Sequence, residues 1–251
     1  LSDITITFTE WQAQVYDFTF TTSGDTATLT SYTGTGGDVV IPSTISLSAD
    51  GTAIVGSDYT VTAIAAGTSS SGPFYSVQST LTSITIPETI ETIGNYAFYN
   101  CTALTEINYN ATAMADFNLR NYIFGYAGQD GEGITVNIGS NVTKVPNFMF
   151  YTGSSSYSPN IIAVNFAENG QLTSIGGAAF RECSSLTAIS IPASVTTIGS
   201  STFYGCSSLT SVTIKGSVTN TGMNIFGGCS NLIEIIVENE DVYLALTNIY
   251  V

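Results

Sequence analysis

The sequence contains no histidine. A Ser-His-Asp triad and a Cys-His pair both use an imidazole to move a proton, so neither can operate in this chain. A zinc site built on histidine is excluded for the same reason. Neither a GxxxxGK(S/T) phosphate loop nor a GxGxxG dinucleotide loop occurs. These absences remove the common nucleophilic, zinc-dependent and nucleotide-dependent reactions, and we expect no cofactor.

Positive charge is also scarce. The chain has 4 Lys and Arg residues against 19 Asp and Glu residues, and its formal net charge is −15 at pH 7. The basic side chains are scattered along the sequence, at Arg120, Lys144, Arg181 and Lys215. Nucleic acids and anionic lipid headgroups are bound by clustered Lys and Arg residues. The sequence therefore predicts that neither a nucleic acid nor an anionic membrane surface is a partner.

Long apolar runs are absent as well. A membrane-spanning helix needs about 18 consecutive apolar residues or more, and no such run occurs, so we expect no membrane insertion by this segment. Only 9% of the residues are charged, which leaves solubility to Ser, Thr, Asn and Gly. A neutral polar surface of this kind favours a secreted protein.

What the sequence has instead is an internal repeat. Segments of 23 residues share a Leu, a following Ile/Val-x-Ile, a later Phe and a Cys three residues after that Phe, and they span 81–103, 186–208 and 209–231. Self-similarity at a period of about 20–50 residues is typical of solenoids, in which each unit packs on its neighbours. The sequence therefore predicts a solenoid.

The spacing of Phe residues extends the array beyond these segments. In six units an apolar residue or Thr lies five residues before the Phe, from Ile93 and Phe98 to Thr221 and Phe226. Phe74 is the candidate Phe of an earlier, degenerate unit. Three units are lengthened by segments rich in Gly, Ser, Asn and Pro, which we interpret as loops. The predicted units are 36–80, 81–103, 104–133, 134–160, 161–185, 186–208, 209–231 and a C-terminal end unit at 232–251.

Residues 1–35 have a different pattern. Alternating apolar and polar residues flank Ser23-Gly24-Asp25, which is typical of a β-hairpin. A solenoid exposes the apolar face of its terminal unit unless another element covers it. We therefore expect an N-terminal β cap at 1–35 and a repeat solenoid at 36–251.

The unit at 81–103 shows how each repeat is expected to fold. Ile84 and Ile86 alternate with polar residues, which predicts a strand with one face inward. Pro87 ends that strand because proline has no N–H to donate to a ladder. The segment 95–101 carries Ala, Phe and Cys at helical or 3₁₀ spacing and is expected to turn the chain back. Stacking of the units then predicts a column of seven buried Phe side chains.

The four cysteines occupy equivalent repeat positions, each three residues after a Phe, at Cys101, Cys183, Cys206 and Cys229. Stacked units would place them in one column. We favour buried, reduced thiols that pack as small apolar groups. Disulfide bridges between adjacent units are the alternative. A metal site is a further alternative, but no CxxC pair supports it.

The combination of LTSITIP, Ile-Gly, Ala-Phe and Cys in 81–103, repeated in 186–208, resembles the BspA-type leucine-rich repeats. The resemblance covers about residues 36–240. It implies an α/β-type leucine-rich repeat solenoid that is right-handed, with a parallel β-sheet on its concave face and short strand, 3₁₀ or helical turns on its convex face. Members are surface or secreted proteins of host-associated bacteria and some mucosal parasites, associated with adhesion to host proteins. The resemblance therefore implies an extracellular or cell-surface location.

The first candidate binding site consists of the side chains between the inward-facing strand residues, because extended concave faces are the usual contact surfaces of solenoids. The alternative is that these side chains are only the solvated side of the sheet. The predicted binding residues are Ser83, Thr85, Glu106, Asn108, Ser190, Thr213 and Glu234, with Ala188, Ser211 and Ile236 beside them.

The second candidate site consists of aromatic residues in the lengthened units, namely Tyr126, Tyr151 and Tyr157. Exposed rings on loops make good anchors for a partner. The alternative is that these rings cover the flank of the solenoid.

Acidic residues offer two further candidates. The paired carboxylates of a glycosidase could be supplied by Glu88 and Glu91, or by Glu234, Glu238, Glu240 and Asp241. Acidic residues in so acidic a chain, however, fall near each other by chance. Asp130 and Glu132 lie in the Gly-rich segment 128–133, where carboxylate oxygens could bind calcium. The spacing is not that of an EF-hand, so we interpret the segment as a solvated loop. No catalytic or metal-binding residue is predicted.

Together these features predict a non-enzymatic, secreted or cell-surface leucine-rich repeat protein of a host-associated microbe. It is expected to mediate adhesion or to bind an extracellular protein or glycan, with host matrix proteins and mucins as candidate partners, and to be a monomer. A structural spacer that presents another domain is the first alternative function. A carboxylate-dependent glycosidase is the second.

Overall fold

A computed structural model of the protein describes residues 17–238. The predictions made for 1–16 and 239–251 lie outside the described residues. The described chain forms short strands joined by turns, with two 3₁₀ segments at Tyr75–Val77 and Ser155–Tyr157. The strands are β1 (Phe18–Ser23), β2 (Thr26–Tyr32), β3 (Gly37–Val40), β4 (Thr44–Leu47), β5 (Ala53–Ile64), β6 (Leu81–Ile86), β7 (Thr92–Ile93), β8 (Glu106–Tyr109), β9 (Ile134–Ile138), β10 (Lys144–Val145), β11 (Ile161–Phe166), β12 (Ser174–Ile175), β13 (Ala188–Ile191), β14 (Thr197–Ile198), β15 (Ser211–Ile214), β16 (Asn220–Thr221) and β17 (Glu234–Val237).

The longer repeat strands form two parallel sheets. One has the strand order β3-β6-β8-β9-β11 and the other has the order β13-β15-β17, and all of their pairings are parallel. Each unit therefore adds one strand to the same side of the molecule, as a solenoid requires. Strands β11 and β13 lie side by side but share no ladder in the described structure. The sheet is thus interrupted between these two units.

A second, narrower ladder runs beside the sheets. The two-residue strands β10, β12, β14 and β16 pair in parallel in that order, and β7 pairs with the end of β5. In five units these strands contain the residue that lies five positions before the repeat Phe, such as Ile93 and Ile198. That residue is buried in both cases, so the predicted spacing marks a true core position.

The unit at 104–133 departs from this pattern. Leu119 lies five residues before Phe124, at the position that Ile93 and Ile198 occupy in their own units, but it is 53% exposed. Phe117 packs against the core instead, and its N–H donates to the carbonyl of Asn147 at 3.2 Å. The unit is longer than its neighbours, and the extra residues let the chain bulge outward before Phe124. Asn121 closes the bulge, since its Oδ1 accepts from the Ile123 N–H at 3.0 Å.

The core contains the predicted column of seven phenylalanines. Adjacent rings have centroid distances from 4.7 to 5.6 Å, and each side chain is at most 1% exposed. Burial of one Phe contributes about 1.5–3 kcal/mol before the loss of chain entropy is counted. The column therefore ties every unit to the next. Its members are Phe74, Phe98, Phe124, Phe150, Phe180, Phe203 and Phe226.

The turns around these Phe residues are not helical, which corrects the expected convex side. In the unit at 161–185, Ala178 and Glu182 have left-handed φ angles of 52° and 60°. The N–H groups of Ala178, Phe180 and Glu182 donate to carbonyls of the next unit at 2.7–3.0 Å. An α-helix instead directs N–H groups to its own chain with φ near −63°. No α-helix occurs within residues 17–238, so the helical part of the α/β-type description is wrong for them.

The same left-handed conformation recurs two positions before the Phe in six units. The φ angles lie between 50° and 61°. The left-handed backbone conformation costs a non-glycine residue about 1–2 kcal/mol. The hydrogen bonds to the next unit must therefore offset this strain. These residues are Tyr96, Tyr122, Phe148, Ala178, Ser201 and Asn224.

The N-terminal end of the described chain is a mixed sheet with antiparallel and parallel pairs. β1 and β2 pair as the predicted hairpin, and Gly24 in its turn has a φ of 57°. β2 then pairs with β5 in parallel, and β5 pairs with β4 in antiparallel fashion. Rings of Phe18 and Tyr32 lie 4.9 Å apart, and Tyr32 lies 5.8 Å from Phe74. The hairpin thus continues the aromatic column by two rings.

The four cysteines are free and buried, in agreement with the favoured interpretation. The thiols of Cys206 and Cys229 donate to the carbonyls of Phe180 and Phe203 at 3.2 and 3.1 Å. Burial raises the pKa of the Cys101 thiol to about 12. A thiol that stays protonated behaves as a small apolar group with a weak donor.

Candidate binding surfaces

The outward side chains of the parallel strands form two columns on the sheet face. Strand register aligns them across neighbouring units within each of the two sheets. All seven predicted concave residues fall in these columns. The first column consists of Asp38, Ser83, Glu106, Thr135, Ala163, Ala188, Ser211 and Glu234. The second consists of Val40, Thr85, Asn108, Asn137, Asn165, Ser190, Thr213 and Ile236.

Five of these side chains are joined in what we call the polar ladder, which comprises Ser83, Glu106, Asn108, Asn137 and Asn165. Asn137 Nδ2 donates to Asn108 Oδ1 at 2.9 Å and to Glu106 Oε1 at 2.8 Å. Asn165 Nδ2 donates to Asn137 Oδ1 at 2.9 Å. Ser83 Oγ donates to Glu106 Oε2 at 3.2 Å. The ladder crosses β6, β8, β9 and β11, so its members are held by their neighbours rather than freely solvated.

Sequence reasoning missed two members of the polar ladder, Asn137 and Asn165. Both lie in strands of lengthened units, ITVNI at 134–138 and IIAVNF at 161–166. The alternation in ITVNI predicts that Asn137 faces outward and was the signal available. Ser83, in contrast, was predicted as an accessible side chain but is only 8% exposed, because its hydroxyl packs against the Glu106 carboxylate.

The interruption between β11 and β13 opens a cleft of about 440 Å³ on the sheet face. Asn165 and Ser190 line it from the two sheet edges, together with Phe166. Glu168 and Lys215 also line it, so side chains of opposite charge share the cleft. Asn165 therefore belongs both to the polar ladder and to the cleft.

A second aromatic feature lies on the flank, which here means the side formed by the turns around the stacked Phe residues. Five part-buried tyrosines contact one another in a closed circuit, and we call them the tyrosine cluster. Their ring centroids lie 5.1–5.6 Å apart along the circuit. Burial raises the pKa of the Tyr99 phenol, and the neighbouring phenols raise it further. In circuit order the members are Tyr96, Tyr99, Tyr126, Tyr157 and Tyr122.

Two of the three predicted loop tyrosines, Tyr126 and Tyr157, belong to this cluster. Tyr151 does not, and it is only 6% exposed, so it cannot serve as the exposed anchor that was expected. The reason is the guanidinium of Arg181, which lies 4.8 Å from the Tyr151 ring and 4.5 Å from the Tyr204 ring. The guanidinium therefore makes a cation–π contact with each of the two rings and covers part of the Tyr151 ring.

The acidic candidates are not brought together as a site. Glu88, Glu91, Asp130 and Glu132 are exposed. The part of the chain at 17–238 holds no group of three His, Cys, Asp or Glu residues that could bind a metal ion. The Asp130 N–H donates to the carbonyl of Thr102 at 3.0 Å, which ties the loop at 128–133 to the preceding unit.

In the described structure, no helix has the length and apolarity needed to cross a membrane.

Parallel strands stacked at the repeat period, with a continuous Phe column, define a leucine-rich repeat protein. A family model for the BspA-type leucine-rich repeat region matches residues 70–166 and 154–245, with six copies. The chain therefore belongs to the BspA-type leucine-rich repeat family. None of the curated proteins compared with it matches significantly.

Several solved structures are similar to this chain. A leucine-rich cell surface protein from Faecalibacterium prausnitzii A2-165 has 22% identity and a TM-score of 0.41, with 94% of this chain and 77% of that chain covered. A leucine-rich repeat protein from T. pallidum has 19% identity and a TM-score of 0.45, with 92% of each chain covered. The pneumococcal vaccine antigen PcpA has 12% identity and a TM-score of 0.29, with 91% of this chain and 88% of that chain covered.

Proposed function

We propose that this chain is a non-enzymatic, secreted or cell-surface adhesion protein that binds an extracellular protein or glycan on its concave sheet face. The polar ladder is the observation that carries the proposal. Its amides and carboxylate are held in place by hydrogen bonds of 2.8–3.2 Å. Side chains that are already ordered lose little entropy when a partner binds. A merely solvated sheet face does not need such a network.

The charge of this face limits the kind of partner surface that can bind to it. The two outward columns contain Asp38, Glu106 and Glu234 but no Lys or Arg. The whole chain carries a formal charge of −15. Complementary charge speeds association and like charge suppresses it. We therefore expect a partner with a neutral or basic surface, such as the basic segments of matrix proteins, and weaker binding to heavily sialylated mucins.

The finer features of the fold are part of this proposal. We propose a right-handed, monomeric solenoid at 36–251, with a cap at 1–35 that covers its first unit. Phe18 and Tyr32 support the capping role, because their rings extend the aromatic column beyond Phe74.

The test is binding to immobilised matrix proteins and mucins, measured by surface plasmon resonance with the full chain. Asn137→Ala removes the centre of the polar ladder, whereas Asn220→Ala removes an exposed Asn on β16 and is the matched control. We expect Asn137→Ala to weaken binding by about tenfold or more and the control to leave it unchanged. Equal affinity of both variants would show that the concave face is not the contact surface.

A structural spacer is the second candidate function. The continuous Phe column favours it, because a stack in which each unit packs on the next makes a stiff rod. A spacer keeps its role when Asn137 is replaced, so the same pair of variants separates the two functions.

A further inference from the structure

The lengthened unit at 134–160 builds a small polar cavity beside the tyrosine cluster. Its volume is about 210 Å³, below the about 300–1,000 Å³ of sites for drug-sized ligands. It can hold one ring-sized group rather than a chain. The cavity is lined by Tyr126, Gln129, Ser155, Ser156, Ser158, Pro159, Asn160, Ser184 and Ser185.

The walls of the cavity are held by hydrogen bonds to the preceding unit. The Tyr126 N–H donates to the Tyr157 carbonyl at 3.1 Å. Gln129 Nε2 donates to the Ser158 carbonyl at 3.2 Å, and Asn160 Nδ2 donates to the Gly128 carbonyl at 3.1 Å. The inserted loop is therefore pinned at three points, and the cavity is formed before any ligand arrives.

The chemistry of the lining is neutral and rich in hydroxyls. No charged side chain lines the cavity, although the chain as a whole carries a formal charge of −15. Hydroxyl and amide groups supply both donors and acceptors. Ser158 is 8% exposed, and its Oγ is buried without a hydrogen-bond partner in the described structure. Buried hydroxyls are normally paired, so this one can accept or donate to a ligand hydroxyl.

We propose that this cavity binds one neutral sugar residue of a glycan, with the Tyr126 ring as its apolar wall. A pyranose has an apolar C–H face, which suits the electron-rich face of an aromatic ring, and a rim of hydroxyls that match the serines and amides. Tyr126 belongs to both the cavity and the tyrosine cluster. Its ring lies 5.6 Å from Tyr99 and 5.2 Å from Tyr157, so it is held in position by its neighbours.

An anionic sugar does not fit this site. No Lys or Arg lines the cavity to pair with a carboxylate, and the acidic chain repels one. The site lies on the flank and not on the sheet face, so the proposal goes beyond concave binding. Its failure leaves the concave proposal untouched.

The experiment uses the full chain with lactose, maltotriose and N-acetylglucosamine trimer as neutral probes, and with 3′-sialyllactose as the charged counterpart of lactose. Binding is measured by saturation-transfer NMR and calorimetry. Tyr126→Ala removes the apolar wall. Ser155→Trp fills the cavity from an exposed position and preserves the three hydrogen bonds that pin the loop. Tyr204→Ala removes a flank tyrosine outside the cavity and is the matched control.

We expect saturable binding of at least one neutral probe and weaker binding of 3′-sialyllactose than of lactose. Both cavity variants should raise the Kd by about tenfold or more, while Tyr204→Ala and Asn137→Ala leave it unchanged. If Tyr126→Ala fails to fold, the affinity of Ser155→Trp for the neutral probes is sufficient to test the proposal. The proposal is overturned if no neutral probe binds, or if Ser155→Trp binds as tightly as the native chain. Loss of binding in Asn137→Ala alone would also overturn it and would place the sugar on the concave face.

Discussion

The side-chain amide of Asn165 on β11 donates a hydrogen bond to Asn137 Oδ1 on β9 at 2.9 Å. Asn137 extends this hydrogen-bond network, because its own Nδ2 donates to Asn108 and to Glu106. Asn137 is therefore the junction at which the amides of the polar ladder meet its carboxylate. Replacement of this one residue should disturb the whole network.

Asn137→Asp is the sharpest test of that junction. Aspartate cannot donate to Asn108 or Glu106, and at neutral pH it places a second carboxylate beside Glu106. We expect the free energy of unfolding to fall by about 2 kcal/mol at pH 7. The repulsion raises the pKa of the new carboxyl in the folded state above its unfolded value of about 3.9, so the destabilisation should shrink as the pH falls through the folded pKa and should be small at about pH 4.

Urea unfolding at pH 7 and pH 4 measures this difference. Asn220→Asp places the same change at an exposed position on β16 and should alter stability by no more than about 0.5 kcal/mol. Equal destabilisation by Asn137→Asp at both pH values would argue against charge repulsion at the junction.

The Phe column predicts a large penalty for truncation in its interior. The Phe180 ring stacks between Phe150 and Phe203 at centroid distances of 5.3 and 5.6 Å. Phe180→Ala leaves a cavity in the core and should reduce the free energy of unfolding by about 3–5 kcal/mol. Leu119→Ala removes an apolar side chain that is 53% exposed and should cost about 0.5 kcal/mol or less. Thermal unfolding followed by circular dichroism compares the two, and similar losses would contradict the assigned core.

The repeat period and the Phe column were predictable because every unit must present the same apolar residues to its neighbours. A residue such as Phe180 has no freedom to shift in register without losing both stacked partners. The Cys positions follow the same logic, since only a small apolar group fits beside the column. The outward direction of Asn108 was predictable from strand alternation for the same reason.

The features that were not predicted depend on geometry between units. Leu119 has the right spacing from Phe124, but the lengthened unit bulges and exposes it. The tyrosine cluster requires left-handed turns at residues such as Tyr96 and Tyr122, and no glycine marks these positions. Tyr151 is covered by Arg181 from a neighbouring unit, a contact that no local pattern encodes.

The left-handed turns predict that the same substitution has different effects on stability at two adjacent alanines. Ala178 has a φ of 52°, whereas Ala179 does not occupy the left-handed region. Both are buried, so replacement by glycine removes a buried methyl in each case. Glycine also relieves strain at Ala178, which is worth about 1–2 kcal/mol. Ala178→Gly should therefore be more stable than Ala179→Gly by about 1–2 kcal/mol in urea unfolding, and the reverse order would refute the strain.

Because the four thiols are buried, we expect the native protein to react slowly with thiol reagents. Burial, with the nearby Glu182 carboxylate, raises the pKa of Cys183, and thiol reagents react with the thiolate. The native chain should react with Ellman's reagent far more slowly than the chain in denaturant, which should release the signal of all four thiols. A fast reaction of the native chain, or fewer than four thiols in denaturant, would contradict four free and protected cysteines.

Burial of ionisable groups also predicts a loss of stability at high pH. The pKa of the Cys101 thiol is raised from 9.0 to about 12, and burial raises the pKa of the Tyr109 phenol. Between pH 9 and 12 the unfolded thiol has lost its proton while the folded thiol retains it. The stability that this group contributes is therefore complete below pH 9 and declines as the pH rises, by about 1.4 kcal/mol per pH unit.

Cys101→Ala removes the ionisable thiol and so isolates its contribution to the pH dependence of stability. Alanine should be accommodated there, because it occupies the same repeat position in the next unit at Ala127. Urea midpoints between pH 8 and pH 11 should fall steeply in the native chain and less steeply in Cys101→Ala. Identical slopes in the two proteins would mean that the Cys101 thiol loses its proton as easily when folded as when unfolded. That result would contradict its burial against the Phe column, where the low polarity of the core disfavours a thiolate.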